Sequence, residues 1–240
     1  MNINIVPVEG VSNLSSTIYN ELKKQILNME LLPGEKMSEV KMTKIWDCSR
    51  TPVREAFYQL RLEGFLESKP QVGTFVPKID MFRVEEVRFL RESVETAVIK
   101  YGIQKNLFEP YIDQFQDLIN RQEIVYANRE YTAFNELDEE FHGLFQKATG
   151  KEFAMKYCGN TDIHYTRLRH MSVRYETNPH IAIEHHQKVL DAVKNRNVLE
   201  MEQAMASHLS NLYRVLETTE LNNHKIIANY QEFMETMKMN

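Results

Sequence analysis

The chain has 240 residues, 42% of them hydrophobic and 26% charged, with a formal net charge of −5. That composition is ordinary for a globular protein of one large or two modest domains, and its acidic balance argues against a basic nucleic-acid surface spread over the whole molecule. No run of about 18 apolar residues is present to cross a bilayer and Met1–Val11 lacks the build of a signal peptide, so a cytoplasmic protein with no membrane partner is expected.

The two cysteines, Cys48 and Cys158, match no metal or redox spacing and read as inert thiols. Residues 1–13 show no periodicity and read as a flexible lead. Ser15 or Ser16 can cap a first helix, whose apolar stripe is Ile18, Leu22, Ile26 and Met29, before Leu32-Pro33-Gly34 turns the chain. Ser38 caps a short second helix with Met42 and Ile45 inward, and Asp47-Cys48 makes a tight turn.

The third helix, SRTPVREAFYQLRLE from Ser49 to Glu63, has the best-marked start. Ser49 can accept a hydrogen bond from a free backbone N–H, and Pro52 stands in the first turn, where its missing N–H costs little. Val53, Ala56, Phe57 and Leu60 make one apolar face, while Arg50, Arg54 and Arg61 fall away from it. Such a helix is either a solvated surface or a DNA reader, because a guanidinium in the major groove can contact phosphate or pair with guanine O6 and N7. Gly64 closes it as a left-handed cap. Phe65–Ser68 and Gly73–Val76 then read as strands joined by Lys69-Pro70-Gln71-Val72, a wing.

The stretch LLPGEKMSEVKMTKIWDCSRTPVREA resembles the winged helix-turn-helix of the GntR family of bacterial transcription regulators. Leu32, Pro33, Gly34, Ser38, Glu39, Met42 and the run Ser49–Ala56 fall on family positions. The resemblance implies double-stranded operator DNA as a partner, with Lys41, Ser49, Arg50, Thr51, Arg54 and Gly73 at the interface, Lys69 on phosphate and Gln71 in the minor groove. Val40 stands where many members carry a basic residue and is followed by Lys41, so that contact is lost or moved. Residues 1–78 hold ten Lys and Arg against nine Asp and Glu, so any basic patch is local.

Pro77–Asp80 reads as a linker between a domain at 1–78 and an all-helical one at 79–240. The expected fold is mainly α, a winged helix followed by six or seven helices. Helical periodicity runs over Val84–Tyr101, Pro110–Ala127, Tyr131–Thr149, Glu152–Arg174, Pro179–Asn195 and Val198–Asn222, with a last stretch to about Met237. Gly150 and Asn178 lie in the breaks.

Phe134, Leu137, Phe141, Leu144, Phe145 and Ala148 form an inward stripe, with Asp138 and His142 on or beside it. Their four-residue spacing puts carboxylate and imidazole on one face, either as an ordinary helix-surface pair or within reach of one ion. His186 shares a stripe with Ile183, Leu190 and Val193, and His208 with Met201, Met205, Leu212 and Val215. These histidines are either hydrogen-bonded core residues or, with Asp138 and His142, ligands for a divalent metal ion such as zinc, nickel or manganese.

Asp138-Glu139-Glu140-Phe141-His142, the run Glu184–Ala192 and the run Ala204–Leu209 are similar to the FCD effector domain of the FadR-like branch of the same family. The resemblance implies a homodimer with a divalent cation on Asp138, His142, His186 and His208 at the floor of an effector cavity. His185 leaves the register open, although Val189 and Leu190, three and four steps after His186, favour His186. Arg91 looks like the branch's arginine that reaches toward the ligand, and Tyr165, Arg167 and Arg169 could join it. A guanidinium beside a partly open cation suits a small carboxylate, so an organic acid is the implied effector. The bland reading of Arg91 is a solvated salt bridge with Glu95.

A transcriptional regulator, specifically a repressor, is the expectation. The rival is an all-helical metalloenzyme, since an Asp-His-His-His site with an open position could activate water. That reading lacks a general base, because Glu139 and Glu140 fall off the inward face, and it leaves the DNA module unexplained.

Overall fold

The computed structural model describes residues 11–156, 162–175, 180–218 and 223–239. By contact they form two compact units, one running to Asp80 and taking in the chain from His224 onward, the other spanning Met81–Asn223. Cys158, Asn178, Pro179 and the first ten residues lie outside the described residues.

The first unit opens with α1 (Val11–Leu27), β1 (Lys36–Met37), α2 (Glu39–Ile45), α3 (Arg50–Leu62), β2 (Glu67–Lys69) and β3 (Gly73–Phe75). Ile18, Leu22 and Ile26 of α1 pack against α3, which buries Val53, Ala56, Phe57 and Leu60. Each such side chain contributes about 1.5–3 kcal/mol by leaving water. Leu14 extends the α1 stripe one turn earlier, so Ser15 and Ser16 lie inside the helix and not at its cap. Ser38 does cap α2, accepting from the Lys41 N–H at 3.3 Å. Ser49 holds the N-cap position of α3 with extended backbone, but its hydroxyl makes no capping hydrogen bond. Pro52 explains part of this, since it occupies the third helical position and so removes one of the two N–H donors that a cap can use.

Gly64 follows α3 with φ +79°, and the chain turns there as the Phe65 N–H donates to the Leu60 carbonyl at 2.8 Å. The three strands pair antiparallel in the order β1-β3-β2, with Met37 opposite Thr74 and Lys69 opposite Gly73. Two residues are too few to show an alternating pattern, which is why β1 had no sequence signal. Lys69 therefore ends a strand, and the wing tip is Pro70–Val72, with Gln71 at φ +61°.

The second unit contains α4 (Met81–Lys105), α5 (Ile112–Ala127), α6 (Tyr131–Thr149), α7 (Glu152–Lys156), α8 (Ile163–Tyr175), α9 (Ile181–Lys194), α10 (Val198–Ser210) and α11 (Val215–Thr218), with 3-10 turns at Glu109–Tyr111 and Asn211–Arg214. The expected segment Glu152–Arg174 corresponds to two helices, α7 and α8. The expected segment from Val198 breaks after Ser210, whose hydroxyl donates to the Ala206 carbonyl at 2.6 Å. Back-bonding of that kind competes with the helical ladder and bends the chain. The core is aromatic: Phe115, Phe141 and Phe145 interlock, and Phe108 packs edge-on to Phe145 with its ring against Gly102.

The chain then returns to the first unit through α12 (Asn223–Ile226) and α13 (Tyr230–Met239). Ile79 is fully buried and pairs in parallel with Ile227, donating its N–H to the Ile226 carbonyl at 2.9 Å.

Candidate metal centre and nucleic-acid face

Helices α6, α9 and α10 each turn polar groups into one apolar interior. Asp138 and His142 come from α6, His186 from α9 and His208 from α10, and one donor atom of each lies within 4.8 Å of the others. His186 is fully buried and stacks on Phe141 at 4.2 Å, whereas His185 is only half-buried, its ring centroid 6.3 Å from that of His208. Asp138 Oδ1 stands 3.2 Å from His186 Nε2, and His142 Nε2 stands 3.0 Å from His208 Nε2.

Donors at about 2.1 Å from one ion lie about 3 to 4 Å apart, so these two spacings already suit a shared cation, and any pair at the outer limit needs to close by about 0.8 Å or more. The donor chemistry fits as well. His186 Nδ1 lies 2.7 Å from Gln122 Oε1, and the tautomer that donates there leaves Nε2 as a lone pair facing a carboxylate oxygen. Two facing acceptors repel unless a cation or a proton lies between them. Asp138 Oδ2 and His186 Nε2 are both buried without a hydrogen-bond partner.

Electrostatics hold Asp138, His186 and His208 in ligand form. Burial alone would raise the Asp138 carboxyl, but Arg169 and then the imidazoles hold it well below the usual carboxylate range. Burial, followed by His186 and His142, keeps the His208 imidazole neutral far below its ordinary value. Burial likewise lowers His186. Neutral imidazole and ionised carboxylate are the forms that bind metal.

Arg91 of α4 and Tyr165 and Arg169 of α8 close the other side. Arg91 Nη1 donates to the Tyr165 hydroxyl at 3.2 Å and Nε to Glu95 at 2.6 Å, while Nη2 is buried with no hydrogen-bond partner. The Arg91–Glu95 bridge thus exists but is buried, not solvated. Arg169 pairs with Glu139 and lies 3.7 Å from Asp138. Glu139, expected to fall off the inward face, is half-buried beside Arg169, and Glu140 is exposed. Arg167 is also fully buried, but it points back to the Ile163 carbonyl, and burial pushes it down to about 9. The cavity among Arg91, Asp138, His142, Tyr165, Arg169 and His208 measures about 30 Å³. That is room for an ion and a water, so an organic acid must displace side chains to enter. Sequence reasoning missed Gln122 and missed Glu95 as a partner of His142, which it lies 2.6 Å from.

In the first unit, Lys41, Ser49, Arg50, Thr51, Arg54, Lys69 and Gln71 are all exposed. Lys69 is partly committed, with Nζ 3.0 Å from Glu67 and over the Phe75 ring. Gly73 has φ +137°, and a Cβ there would meet Lys36 Cε at 2.7 Å. Lys36 and the exposed Tyr58, one turn past Arg54, were not singled out from the sequence. Cys48 is half-buried, and desolvation followed by Asp47 raises its thiol.

Residues 14–76 match the family described as bacterial regulatory proteins, gntR family, and residues 86–211 match the FCD domain. The HTH-type transcriptional repressor RspR of Escherichia coli (strain K12) is 29% identical over 199 residues, covering 83% of this chain and 87% of its own. The HTH-type transcriptional regulator LutR of Bacillus subtilis (strain 168) is 26% identical over 216 residues, covering 80% of this chain and 95% of its own. A solved GntR-type putative transcriptional regulator from Rhodococcus sp. RHA1 shares the fold with TM-score 0.66 at 18% identity, covering 87% of this chain and all of its own. The structure of E. coli McbR/YncC aligns with TM-score 0.64 at 18% identity, over 85% and 97% of the two chains.

Proposed function

Because the chain belongs to the GntR family of bacterial regulatory proteins, with an FCD domain in its helical unit, it is a transcriptional regulator and not an enzyme, and we propose that it is a repressor controlled by a small carboxylate at a metal site. In this reading Asp138, His142, His186 and His208 hold a divalent cation such as zinc, nickel or manganese, which supplies an open coordination position for an acid. Arg91 and Arg169 offer guanidinium forks to the same acid, and Tyr165 positions Arg91. The observation that carries the reading is the unpartnered Arg91 Nη2 in one small cavity with Asp138, His142 and His208.

Arg50 and Arg54 read the operator from α3, with Ser49, Thr51 and Lys41 beside them and Lys69, Gln71 and Gly73 placing the wing. RspR carries the name of a repressor, which supports that sign of control. A single winged helix has a small footprint, so a homodimer reads a short pseudo-palindrome. The exposed Phe89 and Leu90 on α4 support pairing of two copies.

The test is operator binding by fluorescence anisotropy, on DNA from upstream of the protein's own coding region, with zinc-loaded and metal-stripped protein and a panel of small organic acids. An acid that weakens operator binding only in the metal-loaded protein supports the reading. No response from the loaded protein across mono-, di- and hydroxycarboxylates sinks it.

A further inference from the structure

The two oxygens of the Glu95 carboxylate in α4 go to different partners. Oε1 accepts from Arg91 Nε at 2.6 Å, and Oε2 lies 2.6 Å from His142 Nδ1. All three side chains are buried, and of the three only Arg91 and His142 line the cavity. The second contact is a close approach of carboxylate oxygen to ring nitrogen whose alignment falls short of a well-formed hydrogen bond. Glu95 therefore stands behind the cavity, touching the arginine on one side and the histidine on the other.

We propose that Glu95 is a positioning residue that fixes His142 with Nδ1 protonated and Nε2 free for the cation, and so ties a metal ligand to the guanidinium that receives the effector acid. The proposal rests on the metal reading above and adds a residue that contacts neither ion nor acid. A neutral imidazole has one lone pair, and whichever nitrogen carries the proton cannot coordinate. A carboxylate accepts and does not donate, so placed at Nδ1 it holds the proton there and leaves Nε2 facing Asp138 and His208. The hydrogen bond from Arg91 Nε holds that carboxylate in place, so a shift of the guanidinium toward a bound acid acts on His142 through one side chain.

The test uses the full chain, stripped of metal, as wild type, Glu95→Gln and Glu95→Asp. Long-range 15N correlation spectra of labelled protein read the His142 tautomer directly. Competition with a chromophoric chelator reads zinc affinity, and the absorption spectrum of added cobalt reads ligand geometry. Wild type is expected to carry its proton on Nδ1. In Glu95→Gln the amide no longer accepts on both sides, so the tautomer shifts toward Nε2–H, zinc affinity falls by about 10- to 100-fold and the cobalt spectrum changes. Glu95→Asp keeps the charge but is one methylene short of reaching both partners, and it is expected to shift the same readouts. If Glu95→Gln fails to fold by circular dichroism, Glu95→Asp decides alone. Variants that only lower the melting temperature, with wild-type tautomer, zinc affinity and cobalt spectrum, overturn the proposal. A wild type that takes up no zinc overturns the metal reading instead, and the tautomer then decides for or against Glu95 by itself.

Discussion

Gln122 on α5 and His186 on α9 are joined at 2.7 Å, carboxamide oxygen to ring Nδ1, deep in the aromatic core. A fully buried imidazole oriented this way presents its other nitrogen to Asp138. Gln122→Leu keeps the apolar packing and removes the acceptor. We expect zinc affinity to drop by about 10- to 100-fold while helical content is retained, as for other outer partners of metal-bound histidines. Unchanged zinc affinity in a chelator competition would mean that His186 needs no such orientation.

Arg50 and Arg54 lie exposed on α3 and contribute no core packing. Replacing either with Ala should leave the melting temperature and the oligomeric state alone while weakening operator binding. Loss of a base-reading contact costs about 1–3 kcal/mol of discrimination, and loss of a phosphate contact flattens the salt dependence by about one unit. Wild-type gel-shift affinity in both variants would remove α3 from the interface.

Gly102 accommodates the Phe108 ring, since a Cβ at that position would stand 2.1 Å from Phe108 Cζ. Gly102→Ala should therefore destabilise the helical unit by about 1–3 kcal/mol, the usual cost of overpacking a core. Urea denaturation measures it, and an unchanged midpoint would contradict the packing described.

The metal-free protein should lose stability as pH falls below neutrality. Burial, with His186 and His142, holds His208 well below its ordinary value of 6.5, and burial lowers His186 too. The unfolded chain takes up those protons near pH 6.5 and the folded chain does not, so stability is full above about 6.5 and declines below it. Asp138 and Glu95 act in the same direction further down. Burial opposes their ionisation, but Arg169 holds Asp138 well below 3.8 and Arg91 holds Glu95 at about 2. Melting temperature should therefore fall from pH 7 to 5, and His208→Phe should flatten the decline. A flat profile in the wild type would show that these imidazoles are already protonated when folded.

Much of this was legible in the residues because burial imposes a period. The apolar faces of α1, α3, α6 and α9 are where the spacing put them, and spacing placed His142, His186 and His208 on inward stripes, while their reading as one ligand set came from the family resemblance. What periodicity cannot carry was lost. β1 is two residues long, Ile79 is buried through a pairing with Ile227 far along the chain, and the Ser49 hydroxyl makes no capping hydrogen bond, in part because Pro52 removes one donor. Glu95 and Gln122 were missed for a different reason. Each is a polar residue on a helix, indistinguishable by spacing from a solvated one, and only the approach of α4 and α5 to the histidines makes it a partner.

The proposed regulation stands on one metal ion held by the aspartate and three histidines of the helical unit. It is tested most directly by elemental mass spectrometry of protein purified without chelator, as wild type and as His208→Ala, with circular dichroism confirming that both are folded. Close to one divalent ion per wild-type chain is expected, with a large loss in the variant. Equal metal content in both, or no metal in a folded wild type offered zinc, nickel and manganese, would show that the cluster is a set of core histidines and nothing more.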